Sequence, residues 1–218
     1  MIRGVIFDMD GLMFDTERVS MQMWSRELGK QGFPYTEQIG NSIRGRNGDA
    51  IRHIMEEAYG PSLDFDAAVQ GVRADMLDRV DTVGVDVKPG LYPLLDWLRE
   101  RQIPLVVASS SRRLSVEKHC ARAGVLDRFQ AVICGDQVTH SKPDPEIFLL
   151  AAEKLGVKPQ ECLVLEDSFN GVRAGAAGGF ITVMVPDLDQ PTPEIDALYT
   201  AKADSLQQVL ELLQTGAL

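Results

Sequence analysis

Six polar side chains are placed where they can do chemistry together, because each follows a short apolar run. Asp8 and Asp10 come after the run 2–7, Ser109 after 103–108, Lys142 in the stretch beyond 131–134, and Glu166 with Asp167 after 162–165. A carboxylate such as Asp8 can attack phosphorus and split one hard hydrolysis into two easier steps through an aspartyl-phosphate. Asp10, two residues on, can reach the same side, protonate a departing alkoxide and later take a proton from water. Phosphoryl transfer otherwise rests on positioning and on neutralising the equatorial oxygens, a task suited to Lys142, the Ser109 hydroxyl and loop amides. Ser110 and Ser111 are alternative phosphate contacts in the same run.

Four converging carboxylates raise one another's pKa unless a cation sits among them. Hard oxygen donors of this kind suit magnesium. Asp8, Asp10, Glu166 and Asp167 set against Mg²⁺ and Lys142 leave one negative charge, and protonating one acid leaves none.

The elements that must position these groups follow from pattern. The apolar runs 2–7, 103–108, 131–134, 162–165 and 181–185 read as buried strands. Helical patterns lie between them: Leu91, Leu94, Leu95 and Leu98 form one stripe, Ile147, Phe148, Ala151 and Leu155 another, and Ser205 caps a third holding Leu206, Val209, Leu210 and Leu213. Strand–helix alternation predicts an α/β fold with a doubly wound parallel sheet, whose ligands bind beyond the carboxyl ends of the strands. From Asp15 to Asp86 only helical stripes occur, carried by Met21, Trp24 and Leu28, by Ile51, Ile54, Met55 and Ala58, and by Val69, Val72, Met76 and Val80. The expected division is a catalytic core of residues 1–14 and 87–218 and an inserted helical cap of residues 15–86.

Composition narrows the partners. The 218 residues carry 22 Lys and Arg against 32 Asp and Glu, a net charge of −10 that argues against a nucleic-acid partner. The most apolar stretch, 175–185, is too short and glycine-rich to span a bilayer. Carboxylates at Asp8 and Asp10 interrupt any secretion signal, so a cytoplasmic location is expected. Cys120, Cys134 and Cys162 have no metal-ligand spacing and read as buried hydrophobes, and His53, His119 and His140 read as structural or solvated. Trp24 and Trp97 read as core. In so acidic a chain, local cations would steer a phosphorylated substrate; the candidates are Arg112, Arg113 and above all Arg44 and Arg46, in a glycine- and asparagine-containing turn between helices of the insertion.

The set Asp8-x-Asp10-Gly11 with Asp15-Thr16, then Ser109, Lys142-Pro143 and Glu166-Asp167, resembles the haloacid dehalogenase (HAD) superfamily over nearly the whole chain. The strings FDMDGLMFDTE, GDQVTHSKPDPEIF and LEDSFNGV are similar to its β-phosphoglucomutase-like branch. The resemblance implies a Rossmann-like core with a helical cap, Asp8 as nucleophile and metal ligand, Asp10 as acid/base and metal ligand through its carbonyl, and Asp167 as a further Mg²⁺ ligand. It implies Glu166 as another metal or water ligand, and Ser109 and Lys142 as phosphate binders. Mutases of the branch carry a histidine on the first cap helix and an arginine in the cap loop, where this chain has Ser20 and Gly48, although a shift of one or two residues would bring Arg44 or Arg46 into the loop role. The expected function is therefore Mg²⁺-dependent hydrolysis of a small phosphomonoester, a sugar phosphate first among them, by a monomer or weak homo-oligomer. A phosphosugar mutase is the alternative. A phospho-accepting signalling module needs no 70-residue cap, and a metal-free dehalogenase would leave Asp10, Glu166 and Asp167 surplus and mutually repulsive.

Overall fold

A computed structural model describes residues 1–188 and 190–218. Its centre is a parallel sheet of six strands, β1 (Gly4–Phe7), β2 (Leu105–Ser109), β3 (Ala131–Cys134), β4 (Cys162–Glu166), β5 (Ile181–Met184) and β6 (Ala201–Lys202), in the order β3-β2-β1-β4-β5-β6. The expected doubly wound α/β fold is the one observed. β1 pairs with β2 on one side and β4 on the other, so the chain reverses its direction of winding around β1. That reversal opens a crevice at the carboxyl end of β1.

Strand residues alternate between two covered faces. Val5 and Phe7 face α5 (Leu91–Glu100), α6 (Arg113–Arg122) and α10 (Leu206–Thr215), and Ile6 faces α7 (Glu146–Leu155) and α8 (Phe169–Ala177). Burial on both sides explains why these strands read as unbroken apolar runs. Each fully buried Val, Leu or Phe contributes about 1.5–3 kcal/mol, which makes the sheet a rigid base for the loops at its end.

Between β1 and α5 lie α1 (Thr16–Lys30), α2 (Glu37–Ile43), α3 (Gly48–Tyr59) and α4 (Phe65–Thr82). They bury a cluster of their own, with Trp24, Leu28, Met55 and Val72 among its members. The chain leaves and re-enters the sheet layer along paired backbone: Asp15 N–H donates to Asp86 O at 2.9 Å and Lys88 N–H to Met13 O at 2.9 Å. Lys88 Nζ also bridges Asp15 at 3.4 Å and Asp187 at 2.7 Å.

Several elements differ from the sequence reading. The first strand begins at Gly4 rather than residue 2. Helix α2 was not expected; it has only seven residues and is started by Thr36, whose hydroxyl accepts from Ile39 N–H. The short α9 (Pro193–Asp196) and the two-residue β6 were also unforeseen. Trp97 is half-buried rather than core, and its ring is covered by the Arg101 guanidinium at 3.9 Å. All three cysteines are buried and free, as expected. No helix among the described residues is long and apolar enough to cross a membrane.

Candidate active site

Asp8 lies one residue beyond β1, Ser109 ends β2 and Glu166 ends β4, so the register of three adjacent strands brings these side chains to one edge. Lys142, from the loop between β3 and α7, reaches in beneath them and is fully buried. Its Nζ donates to Asp8 Oδ1 at 2.6 Å, to Glu166 Oε1 at 2.6 Å and to the Ala108 carbonyl at 3.3 Å, and lies 4.7 Å from the Phe148 ring centre. Burial pulls the Lys142 ammonium down, but Asp8 and Glu166 outweigh it and hold its pKa above the ordinary lysine value, so it stays charged. The remaining Glu166 oxygen accepts from Ser168 N–H at 2.8 Å and Ser168 Oγ at 3.0 Å. Glu166 is thus committed on both oxygens to fixing Lys142 and the start of α8.

Asp10 is held by three hydroxyls. Thr16 Oγ1 donates to its Oδ1 at 2.8 Å, while Ser109 Oγ at 3.1 Å and Ser111 Oγ at 2.8 Å donate to its Oδ2. Ser109 in turn accepts from Ser111 N–H at 3.0 Å. Ser110 points elsewhere: its hydroxyl donates to the Gly45 carbonyl at 2.8 Å, and Asn170 Nδ2 donates to the Arg44 carbonyl at 2.9 Å. These two bonds tie the turn at 44–46 to the loops of the sheet. Gly45 has φ +69°, and a Cβ there would meet Ser168 Oγ at 2.6 Å.

Asp167 carries no side-chain hydrogen bond or ion pair to any described residue, although it is only 7% exposed. Its Oδ2 lies 2.1 Å from where a Cβ on Gly11 would sit, so Gly11, at φ +82°, is needed both for its turn and for this close approach. Oxygen atoms of Asp8, Glu166 and Asp167 fall within 4.8 Å of one another. Burial raises the Asp8 pKa well above the usual carboxylate range, Lys142 opposes this, and Glu166 and Asp10 add to it. Burial likewise raises Asp167, reinforced by Glu166 and Asp8. A buried, unpaired carboxylate beside a second one is unfavourable alone and fits a small hard cation such as Mg²⁺.

A cavity of about 310 Å³ opens over this nest. Asp8, Asp10 and Asp167 line its floor side; Trp24, Ile51, Val69, Val72 and Met76, from α1, α3 and α4, give it an apolar wall. Arg44, Arg46 and Arg112 line it as well, whereas Arg113 is spent on Val132 O, Gln137 and Glu117. His119 is buried and bonded to Ser115 O, and His53 and His140 are exposed, as expected of structural or solvated histidines. Thr16 stands in the sequence motif without a role assigned to it, and Ser168, Asn170 and Arg73 are further parts of this region that the sequence alone does not single out. The first three belong to the strings FDTE and EDSFNG, where they were legible as hydroxyl and amide donors beside the acids. Arg73 lies in the middle of α4, with no local signal.

A sequence model of the haloacid dehalogenase-like hydrolases matches residues 2–179, which includes the ends of β1, β2, β3 and β4 and with them Asp8, Ser109, Lys142, Glu166 and Asp167. The chain belongs to this family. Among its relatives, the fructose-1-phosphate phosphatase YqaB of Escherichia coli is 33% identical over 190 residues, covering 84% of this chain and 95% of that protein. A phosphorylated-carbohydrate phosphatase of Thermotoga maritima is 32% identical over 178 residues, covering 82% of each. The β-phosphoglucomutase of Clostridium difficile superposes with a TM-score of 0.81 over 99% of this chain and 96% of that one; at 24% identity this is a likeness of fold.

Two outcomes follow for this HAD hydrolase. A Cβ on Gly171 would lie 1.8 Å from the Glu166 carboxyl carbon, so Gly171→Ala must push Glu166 off Lys142. Urea unfolding is expected to show a loss of about 1–3 kcal/mol, accompanied by loss of turnover; wild-type values for both would contradict this assignment. The second outcome concerns pH. Because the raised Asp8 and Asp167 bind more protons folded than unfolded, their contribution to metal-free stability falls as pH climbs from the ordinary carboxylate range through their raised values. Mg²⁺ must displace those protons, so its rise in Tm is expected to be larger at about pH 7.5 than at about pH 5. A Tm unaffected by Mg²⁺ at both would contradict the metal site.

Proposed function

We propose that the protein is an Mg²⁺-dependent phosphatase that hydrolyses a small phosphomonoester, a sugar phosphate being the favoured class, through an aspartyl-phosphate on Asp8. The observation that carries this reading is the Asp8 carboxylate fixed by Lys142 at 2.6 Å, with the hydroxyl-held Asp10 two residues away on the same cavity. The phosphatase names of the relatives in Escherichia coli and Thermotoga maritima support it.

In the first step the Asp8 oxygen not held by Lys142 attacks phosphorus, the P–O bond to the substrate breaks, and the leaving alkoxide takes a proton from Asp10. In the second, water attacks the aspartyl-phosphate and gives its proton to Asp10, so inorganic phosphate leaves and the Asp8 carboxylate is restored. Thr16, Ser109 and Ser111 orient Asp10 for both transfers. Lys142 directs Asp8 and opposes the protonation that burial favours there. Asp8 and Asp167, with the Asp10 carbonyl implied by the family resemblance, would hold Mg²⁺; Glu166 acts on it through Lys142 and Ser168. The chemistry supplied by a bound Mg²⁺ is charge neutralisation at the phosphoryl oxygens.

Helices α1–α4, residues 15–86, serve in this reading as a cap that closes over the substrate and limits water during the first step. The turn at 44–46, tied to Ser110 and Asn170, is its latch.

Phosphate release from sugar phosphates, nucleoside monophosphates and an aryl phosphate, with Mg²⁺ and with chelator, tests the proposal. Release that needs Mg²⁺ and falls by at least about 10³-fold in Asp8→Asn is expected. Release unaffected by Asp8→Asn would refute it, and an isomerised sugar phosphate with no release would make the protein a mutase instead.

A further inference from the structure

Four side chains of alternating charge close a ring where helices α1–α4 join the sheet layer. Asp187, three residues beyond β5, has a side chain only 3% exposed, and its Oδ1 accepts from Lys88 Nζ at 2.7 Å and Arg18 Nη2 at 3.2 Å. The same two cations meet Asp15 Oδ1, each at 3.4 Å. Asp15 stands where the chain leaves the sheet layer, Lys88 where it returns, and Arg18 in the first turn of α1. Asp15 occupies the N-cap position of α1 yet makes no capping bond, whereas Thr36, Asn47 and Asp64 each cap their helices. Its carboxylate is turned from a task that short acidic side chains ordinarily perform, and meets Lys88 and Arg18 instead. Asp187 Oδ2 is buried with no hydrogen-bond partner among the described residues, so the two cations are what hold that carboxylate in place.

The members of the ring differ in exposure and in what carries them. Lys88, 19% exposed, and Asp187 lie on the sheet side and form a shielded pair, whereas Arg18, 54% exposed, rides on α1 with the helical layer. Exposed pairs are weak and screened by salt, and shielded ones less so. The chain crosses between the layers through a two-stranded ribbon, in which Phe14 bridges Val87 antiparallel. Two-stranded ribbons tolerate large twists, so this one lets α1–α4 turn as a body while the ribbon stays paired. Such a turn carries Arg18 away from Asp187 and leaves Lys88 on it.

We propose that Asp187, anchored by Lys88, is a positioning residue that latches the hinge. Its grip on Arg18 holds α1–α4 in the closed orientation in which Ser110 and Asn170 meet the turn at 44–46. Release of Arg18 lets substrate in and phosphate out. This rests on the reading of α1–α4 as a cap over a phosphatase site. A weak, exposed contact suits a lid that must open once in every turnover.

Arg18→Met and Arg18→Lys test it, because Arg18 is exposed and does not line the cavity. Hydrogen–deuterium exchange reads the latch without turnover. Arg18→Met is expected to speed exchange by at least about threefold at 44–46 and 110–111, where the two layers close, with β1, β2 and β4 unchanged. Raising salt from about 0.05 M to about 0.5 M should move wild type toward Arg18→Met. Faster exchange confined to α1 would make Arg18 a local support of its own helix and overturn the proposal, as would wild-type exchange throughout. On a substrate that wild type hydrolyses, Arg18→Met should raise KM by at least about threefold with kcat unchanged or higher, and Arg18→Lys should recover most of the change. Equal losses in kcat and kcat/KM would contradict the latch. Added to Asp187→Asn, Arg18→Met should show less than about half of its effect alone; a full effect would place its hold on Asp15 and contradict the role of Asp187. Absence of phosphate release from every substrate, aryl phosphate included, would refute the phosphatase reading separately and leave the exchange measurement to decide the latch.

Discussion

One buried ammonium organises the site. Lys142 lies with no exposure between Asp8 and Glu166, and without it two carboxylates would face each other in a medium that cannot solvate them. The arrangement is tolerable because Lys142 and Glu166 make further hydrogen bonds, Lys142 to Ala108 O and Glu166 to Ser168. Such a cluster adds little to stability compared with an apolar one of the same volume, whereas removing one member is costly. Its value lies in geometry. It fixes the nucleophile at the end of the central strand and leaves Asp167 as the unpaired carboxylate that a cation can use.

The surrounding fold reads as the means of holding that cluster. The register of β1, β2 and β4 sets Asp8 level with Glu166 and one residue short of Ser109, and the short turn through Gly11 lets Asp10 and Asp167 crowd the same space. Glycines at 11 and 171 are there because side chains would collide with Asp167 and Glu166. Above the cluster, the helical layer reaches the sheet loops through carbonyls of residues 44 and 45, bonded by Asn170 and Ser110. Backbone carbonyls are available whatever the side chains are, so this seam can persist while the cavity wall changes chemistry.

The strand ends were legible in the sequence because a buried parallel strand must be apolar on both faces and must stop where the first charge appears. Asp8, Asp10, Ser109, Lys142, Glu166 and Asp167 were found for that reason, and the structure brings all six around one crevice. Their division of labour was not legible. Glu166 and Asp167 are adjacent and chemically alike, yet one is consumed by Lys142 and Ser168 and the other is unpaired, a difference set by lysine placement from a loop 24 residues away in sequence. The Ser109-Ser110-Ser111 run hid two fates in the same way, the outer two hydroxyls turning to Asp10 and the middle one to Gly45. Helix α2 escaped because seven residues carry less than two full apolar repeats, and Arg73 because a lone arginine on an amphipathic helix looks like any solvated cation.

The most direct test of the central claim is the unfolding free energy, in chelator, of Lys142→Met compared with Lys142→Met/Glu166→Gln. If Lys142 is there to compensate two buried carboxylates, the single change should cost about 3–5 kcal/mol, and the added Glu166→Gln should restore at least about 1–2 kcal/mol by removing one uncompensated charge. A double variant no more stable than the single one would mean that Lys142 is held by packing rather than by its two carboxylates, and would contradict the account.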